Sequence, residues 1–323
     1  MAIGAVVAII VFLLLLFDLA NYWVVAASAV ASGLVWSMDM PLRRRMLGDI
    51  AGSDRLVTAL SFDSASNNLT RMFGPFLGGV LYQAFGAAGA FGLTAIVYVI
   101  GLVLVLRVTI GGAPQARSGV PTRILADFRE AFSFAAQNKD ILRILLVTVA
   151  FNVCALPFLA MIPVLGEGTL NLSAAGIGGL AALEGMGAFV GSLAIAIVNP
   201  PVGLRRVYFF GVLFYCVFAF IAGWMTLAVP MALVIFCVGL SAAGFSAMQS
   251  ALTYSVAPPH MRSRLFGLLV IAIGAGVLGV VNIGLMAEWF GAPMAVRIVG
   301  IEGVVAMILI GLGWRELWNR QHA

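Results

Sequence analysis

The chain has 323 residues, of which 63% are hydrophobic and only 10% charged, with a net charge of +5. A water-facing globular domain carries roughly 25% charged residues, so a chain this poor in charge cannot present a solvated exterior. Most of its surface must face lipid. The basic excess is distributed as membrane proteins distribute it, so no nucleic-acid partner is expected; the lipid bilayer is the first partner.

Uncharged runs cover 1–17, 19–38, 72–106, 144–166 and 207–261. Crossing ~30 Å of hydrocarbon at ~1.5 Å per residue takes about 20 residues. The last run therefore holds two spans, and 223–232, with Trp224 and Pro230, breaks it. The first run lacks both a basic n-region and a cleavage site, and reads as a membrane helix, not a signal peptide. In chain order the sequence predicts ten spans, near 2–17, 21–38, 57–83, 88–107, 142–164, 174–198, 205–224, 229–254, 263–288 and 295–314. The predicted fold class is all-α: a helical membrane bundle.

The longest hydrophilic interval, 108–141, carries Gly111, Gly112, Pro114 and Pro121. Its second half places Ile124, Phe128, Phe132 and Ala135 at helical spacing among charges, which predicts an amphipathic helix on the membrane surface. Three parts follow: a partial N-terminal bundle of four spans over 1–107, a linker over 108–141, and a six-helix bundle over 142–323.

Basic residues fall in alternate connections. Arg43, Arg44, Arg45 and Arg55 occupy the second, and Arg107, Arg117, Arg123, Arg129, Lys139 and Arg143 the fourth with its flanks. Arg205 and Arg206 occupy the sixth, Arg262 and Arg264 the eighth, and Arg315 and Arg320 the tail. The odd connections hold Arg297 alone. This pattern puts the even connections and both termini in the cytoplasm of a bacterial inner membrane.

Residues 68–81 read N-L-T-R-M-F-G-P-F-L-G-G-V-L. The element Gly74-Pro75-x-x-Gly78-Gly79 resembles the end of the antiporter motif in the fifth helix of major facilitator superfamily exporters. Glycines there allow close helix approach, and Pro75 frees a carbonyl and bends the helix. Pro41-Leu42-Arg43-Arg44-Arg45 followed by 59–68 is similar to the fourth-to-fifth-helix connection of the enterobactin-exporter-like branch. Met261-Arg262-Ser263-Arg264-Leu265-Phe266-Gly267 resembles the R-G-R-x-x-G element between helices ten and eleven, with Ser263 where glycine is usual. Gly203-Leu204-Arg205-Arg206 is similar to a reduced basic loop between helices eight and nine. The resemblance implies a twelve-helix transporter of two halves. It numbers the first span here as the family's third helix, so the first two helices and the basic motif between them are expected to be missing.

Charged groups inside spans cost roughly 2.5–3.5 kcal/mol each on insertion scales and so mark candidate sites. Asp63, Asn67 and Arg71 recur every fourth residue on one helix face. They line a translocation path or fix helix packing, and Asp63 can also reach the interface. Glu184 lies mid-span among Gly185, Gly187 and Gly191. A carboxyl group there either carries a coupling proton or stays neutral and hydrogen-bonded to a neighbouring helix. Glu302 is expected within its span but nearer the periplasmic end, where that span starts, and Glu288 at the interface.

Gly176–Gly191 and Gly274–Gly279 read as helix packing, since no basic phosphate-binding residue follows them. Cys154, Cys216 and Cys237 read as small buried hydrophobes without paired spacing. His260 and His322 stand in a loop and the tail, so no metal, cofactor or enzymatic chemistry is expected. The expected function is secondary transport: proton-coupled efflux of a small organic molecule of the drug or siderophore class. The alternatives are a permease subunit of an ATP-driven pump and a non-transporting truncated fragment. The sequence leaves the oligomeric state open.

Overall fold

The computed structural model describes the backbone of residues 2–107, 124–198, 203–258, 261–314 and 317. Side chains are described there except at 34, 36–65, 68, 124–127, 196, 198 and 263. The regular structure among these residues is helical, and seven helices are long and apolar enough to cross a membrane. Shorter apolar helical stretches cover Ala2–Leu16 and Tyr22–Gly33. The all-α membrane fold is the one that lipid permits, because each backbone N–H and C=O finds its partner within its own helix. The chain divides into two compact units, Met1–Ser118 and Gly119–Ala323.

The first unit comprises α1 (Ala2–Leu16) and α2 (Tyr22–Leu106). Asp18 turns the chain at φ 54°. Asn21 then caps α2, its side chain accepting from the Val24 N–H at 3.0 Å. α1 lies against the C-terminal part of α2, where a Cβ on Gly4 would fall 2.5 Å from the Tyr98 ring and one on Gly92 3.1 Å from the Phe12 ring.

Here the chain departs from the expected segmentation. α2 runs as helix through both 39–56 and 84–87, with φ +67° at Gly86. Ala, Leu, Met and Arg, all good helix formers, fill about half of these links, beside the helix breakers Pro41, Gly48, Gly52 and Gly86. Within the first unit α1 packs on α2. The side chains of Pro41, Arg43, Arg44, Arg45 and Asp63 lie outside the described residues, as do 108–123, His260, Arg315, Arg320 and His322.

The second unit begins with α3 (Ile124–Gln137) and continues as α4 (Lys139–Ala150), a π-helical turn (Phe151–Ala155) and α5 (Phe158–Gly168). Then come α6 (Ala174–Val198), α7 (Leu204–Ala222), α8 (Ala228–Val256), α9 (Arg262–Gly274), α10 (Gly276–Phe290) and α11 (Ala292–Gly313). α4 with α5, and α9 with α10, each make one interrupted span. α8 packs on both α6 and α7, and α11 on both α7 and α10. The core between them is built from Phe158, Ile162, Tyr208, Val212, Tyr215, Ile235 and Val299, all essentially inaccessible.

α3 divides its apolar residues between two faces. Ala131 and Ala135 are buried with Ile141, Met261 and Leu265, where α3 packs on α4 and α9. Phe128 and Phe132 stack on each other at 6.4 Å on the outer side and stay exposed. The residues expected to form one membrane-facing stripe are thus split, because the small side chains suit the helix contact and the large ones do not.

Glycines set the tightest seams. Glu184 O and Gly239 lie so close that any Cβ on Gly239 would overlap the carbonyl. A Cβ on Gly187 would similarly meet Phe236 O, and one on Gly191 would lie 2.8 Å from Leu240 O. Gly239→Ala should therefore destabilise the bundle by about 1–3 kcal/mol, the range for overpacking. A thermal scan in detergent reads the loss, with Gly267→Ala, where no heavy atom lies within 4 Å among the described residues, as the neutral control.

Candidate functional site

The interruption in the first span of the second unit has a local cause. Pro157 has no N–H, so the Val153 carbonyl loses its normal helical donor. The chain widens instead into a π turn, in which Leu156 N–H donates to Phe151 O at 2.8 Å. Such single-turn bulges often mark functional positions. α10 sits directly on this turn, since a Cβ on Gly279 would overlap Val153 O and lie 2.7 Å from Pro157 Cγ. The break between α9 and α10, at Gly274–Ala275–Gly276, faces the same turn, with the Gly276 Cβ position 3.5 Å from Asn152 O. Two interrupted spans therefore meet at Asn152 and Val153.

A buried polar cluster adjoins this meeting point. The Thr148 hydroxyl donates to Ile144 O at 2.8 Å and lies 2.8 Å from the Tyr208 hydroxyl, while Gln249 Nε2 donates to it at 3.3 Å. The Tyr208 hydroxyl also donates to Ile144 O at 3.2 Å, so the two hydroxyls share that carbonyl and each other, while the Thr148 oxygen keeps a lone pair for Gln249. Asn152 Nδ2 closes the set by donating to Thr148 O at 2.8 Å. Three helices, α4, α7 and α8, are tied by one hydroxyl. Phe245 covers the cluster, stacked on Phe151 with centroids 3.7 Å apart and on Tyr208 at 5.6 Å. Thr148, Asn152 and Gln249 carry no charge, so a search for charged residues in spans passes over them. Polar side chains inside apolar runs, with Thr148 and Asn152 one helical turn apart, are the signal that finds them.

Glu184 is buried at 4% exposure, near the middle of α6, where that helix meets α8. The residue it meets on α8, Gly239, is ten positions from Gln249, about 15 Å along the helix. The structure thus keeps Glu184 apart from the Thr148 cluster. Glu302 stands halfway along the 22-residue α11, not near its end. Its Oε2 accepts from Asn282 Nδ2 at 2.9 Å, and its side chain is exposed. Sequence position misplaced this residue because the start of α11 lies at Ala292, earlier than the apolar pattern suggests.

The basic motif residues gather at one end of the unit. Arg205 pairs with Asp140 at 2.9 Å, joining the start of α7 to the start of α4. Arg206 Nε donates to Leu317 O at 2.8 Å, and Arg143 donates to Gly313 O, so two arginines cap carbonyls beyond and at the end of α11. Arg264 pairs with Glu130 at 2.8 Å, fastening α9 to α3. Arg262 spans the α8–α9 corner, donating to Ala257 O at 3.2 Å and lying over the Tyr254 ring at 3.9 Å. At the Gly223–Trp224 corner Arg297 forms a guanidinium clamp, donating to Gly223 O at 2.8 Å and covering Trp224 at 3.8 Å.

In the first unit Asn67 is half-buried and Arg71 exposed, both engaged in interactions, one helical turn apart on α2. Asp63 shares their helix. Gly74 and Pro75 are exposed and Gly79 half-buried. Around the Cβ positions of Gly74 and Gly78 only Thr70 Cγ2, at 4.0 Å from Gly74, lies within 4 Å among the described residues.

The sequence pattern of the Major Facilitator Superfamily matches residues 1–203. The chain belongs to this superfamily. It is 24% identical over 293 residues to YfiS, an uncharacterized MFS-type transporter of Bacillus subtilis (strain 168), covering 85% of this chain and 67% of that one. It is 21% identical over 292 residues to the staphyloferrin A transporter of Staphylococcus aureus (strain NCTC 8325 / PS 47), covering 87% and 70%. Its fold is similar to a bacterial homolog of the human lysosomal transporter Spinster in an inward-facing, unoccupied conformation. There the TM-score is 0.75 and the identity 14%, over 100% of this chain and 83% of the other. A POT family transporter in complex with 5-aminolevulinic acid matches with a TM-score of 0.74 and 13% identity, over 98% and 81%. The protein is therefore a multi-pass membrane transporter and not an enzyme.

Thr148→Val keeps the volume but removes the hydroxyl that both Tyr208 and Gln249 contact. A loss of about 1–3 kcal/mol is expected, measured as a lower midpoint of thermal unfolding in detergent, and Thr148→Ser should restore most of it.

Proposed function

We propose that this superfamily member is a proton-coupled exporter of a small organic molecule, of the drug or siderophore class, in a bacterial inner membrane with both termini cytoplasmic. The observation that carries this reading is Glu184, a carboxyl group at 4% exposure in the middle of an apolar span. Hydrocarbon holds a carboxylic acid far more cheaply protonated than ionised. A helix movement that brings Glu184 to water lets it release a proton, and a return to the buried state requires that it take one up. Proton movement is in this way bound to a change in the α6–α8 seam.

That seam suits such a movement. Gly187 and Gly239 put backbone against backbone, and at Gly191 the small Ala243 side chain joins the contact, so little side-chain bulk stands in the way at these positions when the helices shift. Asn67 and Arg71, with Asp63, are the candidate polar groups that α2 offers to a translocation path. Efflux is favoured over uptake by the antiporter-like Gly74-Pro75-x-x-Gly78-Gly79, and the siderophore class by the similarity to a transporter of staphyloferrin A. The basic end of the second unit, with Arg205, Arg206, Arg262 and Arg264, is assigned to the cytoplasm by the distribution of positive charge.

The test uses everted membrane vesicles containing the full chain, an imposed pH gradient and a panel of siderophores and fluorescent amphiphilic drugs. At least one of these should be accumulated, accumulation should stop when a protonophore collapses the gradient, and ATP should not substitute for it. Glu184→Gln should insert normally and lose gradient-driven accumulation at least tenfold. Unchanged accumulation by that variant would remove the proton role of Glu184, and accumulation driven by ATP alone would favour a pump subunit.

A further inference from the structure

Cysteines 154 and 216 lie far apart in the sequence, on different helices, and neither belongs to the polar cluster or to the α6–α8 seam. The fold brings them to one point. Cys154 is in the π turn, Cys216 is on α7, and Gly303 of α11 lies between them. The position that a Cβ on Gly303 would occupy is 2.5 Å from Cys216 Sγ, 3.1 Å from Cys216 Cβ and 3.1 Å from Cys154 Cβ. Both β-carbons thus lie within 3.1 Å of one unoccupied point, where any residue but glycine would put an atom. A disulfide joins β-carbons about 3.5–4.5 Å apart, a separation that this shared neighbourhood allows without a third side chain to displace. Both thiols are free. Cys216 is fully buried and Cys154 half-buried, so a small reagent can approach from the Cys154 side.

We propose that Cys154 and Cys216 form a modifiable dithiol, which a small two-electron oxidant of the diazene class closes to an intramolecular disulfide. One thiol adds across the N=N bond, its sulfur going to one nitrogen and its proton to the other. The second displaces the reduced hydrazine from the first sulfur, forming the S–S bond. In sum two thiols lose two electrons and two protons, and the diazene gains both as a hydrazine. The bond ties the π turn to α7. The π turn is the irregular segment against which α10 rests through Gly279, so the modification fixes one of the few non-α-helical stretches inside the bundle. Cys237, on α8, has no place in this arrangement and serves as the internal reference.

The experiment treats the full chain in membranes with diazenedicarboxamide, denatures it, blocks free thiols with N-ethylmaleimide and maps cysteines by mass spectrometry without reduction. Two of the three thiols should escape alkylation, a linked Cys154–Cys216 peptide should appear, and dithiothreitol should restore both. Cys237→Ser should keep the linked peptide, whereas Cys154→Ser and Cys216→Ser should each abolish it. Gly303→Ala, which places a methyl group at the shared point, should slow its formation several-fold. Alkylation of all three thiols after oxidant treatment, a link that includes Cys237, or a link between two chains would overturn the proposal.

Discussion

Hydrocarbon offers no hydrogen bonds, and that constraint governs the structure at every scale. It makes the backbone helical, since an unpaired N–H or C=O in lipid costs several kcal/mol. It also removes the ordinary reason for helices to associate, because a leucine gains little by leaving lipid tails for a protein interior. What remains is close contact. Glycine permits it, so backbone meets backbone between α6 and α8 at Gly187, Gly191 and Gly239, and between α7 and α8 at Gly211 and Gly244.

The same constraint fixes how polar side chains appear. Thr148, Tyr208 and Gln249 satisfy one another, and Asn152 is satisfied by a backbone carbonyl. A shared hydroxyl joining three helices gives orientation that apolar packing alone lacks. Charges are confined mainly to the ends, where Arg205 and Arg264 find carboxylates and Arg143, Arg206 and Arg297 find backbone carbonyls. Capping carbonyls with guanidinium groups answers a specific need, because the last turn of a helix leaves its C=O groups without internal donors.

What could be read from the sequence follows from these rules. Charge scarcity and uninterrupted apolar runs identify an all-α membrane protein, since they reflect the solvent and need no knowledge of neighbours. Glu184 stood out for the same reason: a carboxyl group among glycines and leucines has an evident cost. Features that depend on a partner were not legible. The continuation of α2 through 39–56 and 84–87 depends on which elements pack beside it. The split of Phe132 from Ala135 on α3 depends on α9 occupying one side. Thr148 and Gln249 look unremarkable until Tyr208 is placed between their helices, and Cys154 and Cys216 have no spacing to betray their meeting. Asn282 and Glu302 likewise acquire a relation only when α10 and α11 lie together.

α11 combines these demands within one helix. On the side toward α7 it carries Gly300 against Phe220, Gly303 against Cys216 and Gly311 against Phe209. Positions 300, 303 and 311 recur at three- and eight-residue intervals, so they share a face, and along it the Phe220 backbone, the Cys216 thiol and the Phe209 ring of α7 come close where side chains are missing. Glu302 belongs to another face, where it is exposed and bonded to Asn282. A carboxyl group halfway along a span and open to its surroundings is costly against lipid tails. Asn282 supplies it with one polar partner there. One helix thereby supplies a close-packed seam toward α7 and a hydrogen-bonded polar pair toward α10, the two kinds of contact that hold helices together where the hydrophobic effect does not.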